Sequence, residues 1–182
     1  MHLEITNWIT NPTKENAIIL GDWYYGQAQW ASALVYYLRA TEWEDDINTY
    51  YSLLKVALCL MKQGDRFFYA KGVLHHAINL YPKRPEAYHL MSICCERTRD
   101  WQDSYTWAEL GMIRNYSEDY SNRLKEVEYL GHDGLRFQKA VAGWWMGREN
   151  ESLEEFYQLY KENNLPHAHI EAIKSNIKMI LS

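Results

Sequence analysis

The residues of this chain equipped for chemistry are seven histidines, three cysteines and scattered carboxylates. His167-Ala168-His169 follows Pro166, and a His-x-His pair on an extended segment can hold zinc. No nearby cysteine or third histidine completes a tetrahedral set, so the pair reads as surface or partly buried imidazoles. His75-His76 falls late in an expected helix, where neighbours point about 100° apart and do not chelate one ion. His132-Asp133 stands in a glycine-flanked turn, Gly131-His132-Asp133-Gly134, as a base and its orienter would. No nucleophile accompanies them. Gly131-x-x-Gly134 follows no strand and precedes no Gly-Lys-Ser/Thr, so it is not a phosphate loop. No serine has a Gly-x-Ser-x-Gly setting. Glu151, Glu154 and Glu155 lie near a helix start, where carboxylates complement the helix dipole. Cys59, Cys94 and Cys95 are odd in number and sit in apolar helical stretches. They read as buried thiols of a reducing compartment, the cytoplasm. The sequence therefore predicts no enzyme, no catalytic set, no cofactor and no metal.

Composition narrows the class further. With 182 residues the chain is long enough for one domain with a sizeable core. A net charge of -5 offers no basic field for a polyanion, so nucleic acid is not an expected partner. The start has no basic region followed by an apolar run, and no stretch of about 18 apolar residues is present, so neither a signal peptide nor a membrane span is expected. Aromatics make up 15%, enough to fill the spaces between helices or, if exposed, to form a binding surface.

What must position these residues is a set of helices that repeats. Gly64-Asp65 lies 35 residues before Arg99-Asp100, and Ala77 lies 34 before Gly111. Small residues recur in register, Ala57 with Ser92 and Ala70 with Ser104. Large ones recur beside them: Leu53 with Tyr88, Val56 with Met91, Leu60 with Cys95, Phe67 with Trp101. Ala33 and Ala40 stand 37 residues before Ala70 and Ala77, marking an earlier copy. This period and alternation resemble the tetratricopeptide repeat (TPR), a helix-turn-helix unit that stacks into a solenoid. The expected fold class is all-α: a TPR-like right-handed solenoid of antiparallel helix pairs. As a single domain over 1–182, its units span about 12–44, 47–81, 85–115 and 132–163, with a C-terminal capping helix over 167–181. Residues 1–11 read as an irregular lead-in. The stretch 116–133 reads as either extended or an irregular helix. Trp30, Phe67 and Trp101 are expected to plug their hairpins. Arg84-Pro85-Glu86 starts a helix; Arg84 is expected to fork onto a carboxylate of the preceding unit, with a ligand-binding arginine as the alternative.

Three stretches carry a narrower likeness: Ala33 to Glu42, "ALVYYLRATE"; Leu80 to Arg97, "LYPKRPEAYHLMSICCER"; and Gly134 to Ser152, "GLRFQKAVAGWWMGRENES". They resemble the repeat region that accompanies family-2-type glycosyltransferases in large DNA viruses, phages and some bacteria. The chain has no alternating strands and helices and no Asp-x-Asp motif. The resemblance thus implies a companion module, not a transferase.

In the repeat family the first helix of each unit lines a concave groove. Carried over, that face holds Asp22, Tyr25, Tyr51, Leu54, Leu58, Met61 and Lys62, then His89, Ile93, Glu96 and Arg97, then Gln138, Trp145 and Met146. Apolar patches flanked by charges suit an extended peptide or a partner helix. The expected function is a protein-protein interaction module, with a glycosyltransferase among its possible partners. The alternative is a glycan-binding protein or transferase-associated fragment in which Trp145, Tyr51 and Tyr25 stack on sugar rings.

Overall fold

The computed structural model describes residues 2–114, 124 and 126–181. Of the stretch 116–133 whose conformation the sequence leaves open, residues 116–123 and 125 lie outside the described residues, and its last three residues open a helix. Those described contain helices and no strand. Packing divides the chain into two compact units, Met1–Pro82 with Asp119–Val127, and Lys83–Glu118 with Glu128–Ser182. The first unit holds α1 (His2–Thr10), α2 (Lys14–Gly26), α3 (Trp30–Ala40), α4 (Ile47–Lys62) and α5 (Phe67–Leu80). The second holds α6 (Glu86–Arg97), α7 (Trp101–Met112), α8 (Gly131–Trp145), α9 (Glu149–Glu162) and α10 (His167–Ile180). Within each unit every helix packs on the next in the chain, and α6 also touches α8.

Residues expected to form an irregular lead-in form α1 instead. Its anchor is Trp8, whose ring meets Tyr36 edge-on at 5.9 Å and Trp43 at 6.4 Å. Burying an indole against two aromatics holds a short helix that has no start signal of its own. The next helix starts conventionally, with the Thr13 hydroxyl accepting from the Asn16 amide at 3.2 Å. At α4 the Asp46 carboxylate accepts from the amides of Asn48 (2.8 Å) and Thr49 (2.9 Å). The Lys14 ammonium, 2.7 Å from the same carboxylate, ties α2 to the start of α4.

The recurring small residues lie at the helix contacts. Ala33, Ala40, Ala57, Ala70, Ala77, Ser92 and Ser104 are all buried. A side chain on Gly21 would put its Cβ 2.8 Å from the Tyr37 ring, so α2 and α3 meet backbone against ring. Between α6 and α7 the Ser92 hydroxyl donates to the Ser104 carbonyl (2.8 Å) and the Ser104 hydroxyl donates to the Ser92 carbonyl (3.0 Å). Only short side chains let two helices approach closely enough to exchange such bonds.

Each hairpin turns through one left-handed residue: Ala28 (φ 55°), Gly64 (φ 91°), Arg99 (φ 58°) and Gly147 (φ 79°). In three of the turns the following amide reaches back to a carbonyl in the last turn of the helix: Gln29 to Tyr24, Asp100 to Cys95 and Arg148 to Gly143, at 2.9–3.0 Å. This is the Schellman arrangement, in which the left-handed site favours glycine. The aromatic residue that opens the second helix of the first three pairs is half-buried: Trp30, Phe67 and Trp101. Trp101 does not plug a closed hairpin. It stacks on Trp145 at 5.2 Å with the planes 12° apart, and Trp145 is 57% exposed.

Arg99 has an exposed side chain and a strained backbone. Arg99→Gly is expected to raise stability by about 0.5–1 kcal/mol, read as a higher urea midpoint; a lower midpoint contradicts it. Trp101→Ala is expected to cost about 1–2 kcal/mol, less than a fully buried tryptophan. A loss above about 4 kcal/mol would show that the ring is a core plug after all.

Candidate partner-binding surface

In the first unit three of the groove residues converge. Asp22 and Tyr25 share a face of α2, one turn apart, and Tyr51 faces them from α4. The Asp22 carboxylate accepts from the hydroxyl of Tyr37 (2.7 Å) and from that of Tyr51 (2.5 Å). Into this cluster α4 sends Lys55, one turn after Tyr51. Its ammonium lies 3.4 Å from the centre of the Tyr25 ring and 5.8 Å from the rings of Tyr37 and Tyr51, with the residue 3% exposed. A cation held against three electron-rich faces is favourable where water is excluded. Burial and the Asp22 charge hold the Tyr37 phenol well above its ordinary range. Burial pushes the Cys59 thiol, one turn after Lys55, up to about 12, and the lysine charge opposes the rise. The thiol is thus inert at neutral pH. The lysine already fills the tyrosine cage, so the cluster is a structural element and not an open ligand pocket.

The same helix decides the fate of its other groove residues. From Thr49 to Leu60 every residue of α4 is buried. Tyr51, Leu54 and Leu58 therefore belong to the interior and present nothing to a partner. Asp22, Tyr25 and Met61 are half-buried, and Lys62 is exposed.

In the second unit His89 and Gln138 are buried too. The Gly-His-Asp-Gly stretch expected as a turn forms the start of α8 instead. His89 sits beside its Gly134, where a Cβ would lie 3.0 Å from the His89 Nε2, and the Tyr129 ring meets His89 edge-on at 5.5 Å. Neither ring nitrogen has a hydrogen-bond partner among the described residues. Burial, together with the nearby His169, lowers the His89 pKa to about 4, so the ring is neutral. Glu96 is raised by burial, opposed by Arg97 and by a hydrogen bond with Gln138. Ile93, Glu96 and Met146 are half-buried; Arg97 and Trp145 are exposed. Within each unit the accessible part of the expected groove is thus Met61 and Lys62 with the outer edges of Asp22 and Tyr25, and Ile93, Glu96, Arg97, Trp145 and Met146.

The remaining constellations have structural occupations. Arg84 is 1% exposed and forks onto Glu86, two residues on, at 2.6 and 3.2 Å, so the fork closes within its own motif. Asp133 accepts from Arg136 (3.0 Å) and from the Asn164 amide (3.1 Å), while His132 is exposed. Arg136 continues to Glu155 (2.6 Å) and Glu162 (2.5 Å), bracing α8 against α9. Glu151 accepts from the Tyr105 hydroxyl at 2.7 Å, and that bond leads the causes that hold its carboxyl low. The thiol of Cys95 and the carboxylates of Asp100 and Asp103 lie within 4.8 Å of one another, but Asp100 is already the cap of α7. Sequence reasoning missed Lys55 and Tyr37. The available signal was a lone lysine inside the apolar run from Leu53 to Leu60.

No family profile matches the chain, and no curated protein matches it. Solved structures do. A MamA protein aligns with TM-score 0.62 and 13% identity over 92% of this chain and 86% of its own. Pseudomonas aeruginosa PilF aligns with TM-score 0.70 and 10% identity over 94% of this chain and 71% of its own. A further MamA structure aligns with TM-score 0.55 and 11% identity over 92% of this chain and 95% of its own. These are tetratricopeptide-repeat proteins, and at such identity the likeness is one of fold. The fold class is an all-α, TPR-like helical solenoid.

Two measurements follow from the buried groups. Asp22→Asn leaves two buried phenols with a weaker acceptor and is expected to cost about 1–3 kcal/mol; an unchanged melting temperature contradicts the network. His89 takes up its proton near pH 4 when folded and near 6.5 when unfolded, so the unfolded chain protonates first as pH falls. Its neutral state gives full stability above about pH 6.5, and up to about 3 kcal/mol is lost between there and pH 4. Urea midpoints should fall less steeply with acid in His89→Phe than in wild type, and equal slopes contradict the assignment.

Proposed function

We propose that this protein is a non-catalytic helical-repeat module that binds a segment of another protein. The observation that carries the reading is the TPR-like fold, together with large and charged side chains left accessible on its first helices. TPR-like folds characteristically serve as interaction scaffolds. Tyr25, Met61, Ile93 and Met146 are half-buried, so a partner residue laid on them completes their burial at small cost in ordering. Lys62 and Arg97 are exposed cations suited to an acidic segment or a terminal carboxylate. No helix among the described residues is long and apolar enough to cross a membrane. The reducing interior implied by the buried thiols suits action in the cytoplasm. The stretches resembling repeat regions beside glycosyltransferases nominate a transferase chain as one partner to test.

A second reading has one observation in its favour. Trp145 offers an open indole face while its other face stacks on Trp101. One open face suits a single sugar ring; a glycan chain needs a row of them. Soluble oligosaccharides that perturb tryptophan fluorescence in wild type but not in Trp145→Ala would favour this reading.

The main test is pull-down of a partner, then calorimetry on wild type and on Lys62→Glu with Arg97→Glu. Charge reversal is expected to weaken binding by about 2–5 kcal/mol, provided the contacts are desolvated in the complex, with the helical circular dichroism unchanged. Equal affinity for both proteins contradicts the assignment of these cations.

A further inference from the structure

The turn between α4 and α5 carries a surface of another kind. A pocket of about 400 Å³ opens there, and the described residues lining it are Leu60, Arg66 and Tyr69. Leu60 is buried, while Arg66 and Tyr69 are exposed. Beside it Phe68 is 83% exposed, the most exposed large apolar side chain among the described residues, and Tyr69 is 66% exposed. The two rings meet edge-on at 5.9 Å.

The fold does not ask for these rings. The buried stripe of α5 is Ala70, Leu74, Ala77 and Ile78. At the same register, one and two residues after the first residue of the helix, α3 carries Ala31 and Ser32, α7 carries Gln102 and Asp103, and α9 carries Asn150 and Glu151. Small or polar residues thus serve that position in every other hairpin. Only α5 places two adjacent aromatics in water there, next to a concavity of a size that takes a side chain. Exposed aromatics rimmed by charge are characteristic of an interface.

The local charge gives the chemistry of the occupant. From Lys62 to Lys71 there are three cations (Lys62, Arg66, Lys71) and one carboxylate (Asp65), a net +2 in a chain of net -5. Arg66 lines the pocket itself, and a guanidinium receives a carboxylate through two parallel donors.

We propose that this pocket docks an acidic segment of a partner protein. A bulky apolar side chain of the segment enters over Leu60, its neighbouring carboxylate pairs with Arg66, and Phe68 and Tyr69 close over it. The proposal rests on the reading of the chain as a protein-binding module and adds a place and a partner chemistry outside the groove residues.

The test uses the full chain and a fluorescein-labelled ten-residue peptide with a Leu-Phe pair flanked by aspartates and glutamates. Two control peptides replace the acids by lysines or the apolar pair by alanines. Fluorescence polarisation should show binding of the acidic apolar peptide, at least tenfold weaker for Arg66→Glu and for the double change Phe68→Ser with Tyr69→Ser. Both control peptides should bind at least tenfold more weakly to wild type. Circular dichroism verifies that the variants fold, which the exposure of all three side chains favours. The proposal is overturned if the peptide binds all three proteins equally, if it fails to bind at millimolar concentration, or if the lysine peptide binds as well. It is also overturned if wild type sediments as a dimer that Phe68→Ser dissociates, because the occupant is then a second copy. Loss of a captured partner in the Lys62→Glu, Arg97→Glu variant but not in Arg66→Glu would leave the groove reading standing and overturn this one. Capture of no protein partner would count against the module reading itself.

Discussion

Close approach between helices is the constraint on which the rest depends. Where one helix offers a hydrogen atom or a methyl group, its neighbour can bring a large side chain down onto the backbone, and the geometry of both is then fixed. Gly21 receives the Tyr37 ring, and a side chain there would collide with it. That placement puts the Tyr37 hydroxyl on Asp22, which also takes the hydroxyl of Tyr51, so α2, α3 and α4 are joined at one carboxylate. The three rings then define the space that Lys55 fills. In the second unit Gly111 receives Leu135 and Gly134 receives His89. Small residues thus act at a distance: they settle where the aromatics lie, and the aromatics settle which polar groups can be buried.

Those buried polar groups specify arrangement more than they add stability. A buried ion pair such as Arg84 with Glu86 gains little net free energy over an apolar pair of the same shape, because both charges are taken from water. Removing one partner is costly, so a packing that separates them is excluded. The reciprocal serine bonds between α6 and α7 act similarly, since a shift by one residue would break both. The proposed binding role falls to what remains outside: exposed cations, half-buried apolar groups, and the aromatics at the start of α5.

The helix pairs were legible in the sequence because small residues at a period of 34 to 37 report a backbone contact, which tolerates few substitutes. The tip of each hairpin was legible as well, although only Gly64 and Gly147 announce a left-handed residue; Ala28 and Arg99 hide one. The first helix was not, because nothing in residues 2–10 signals a start, and its anchor Trp8 binds to Tyr36 and Trp43, far along the chain. The groove was legible only in part. A helix covered on one side presents alternate faces, but α4 is buried all round over twelve residues, so Leu54 and Leu58 went to the core. Arg84 was recognised as a clamp, while the identity of its carboxylate depends on an i to i+2 turn that spacing does not reveal. Lys55 was missed because a lysine in an apolar run looks like a solvated exception until a ring from the preceding turn of its own helix and one ring each from α2 and α3 close on it.

Helix pairs closed by small residues leave the α4–α5 turn of the first unit, with its pocket and exposed aromatics, as the surface proposed for a partner. Hydrogen exchange on the full chain, with and without the acidic apolar peptide at saturation, tests this most directly. Amides of residues 62–72 should slow on binding, while α9 and α10 stay unchanged. Protection confined to α9 and α10, or no change anywhere in the first unit, would contradict it.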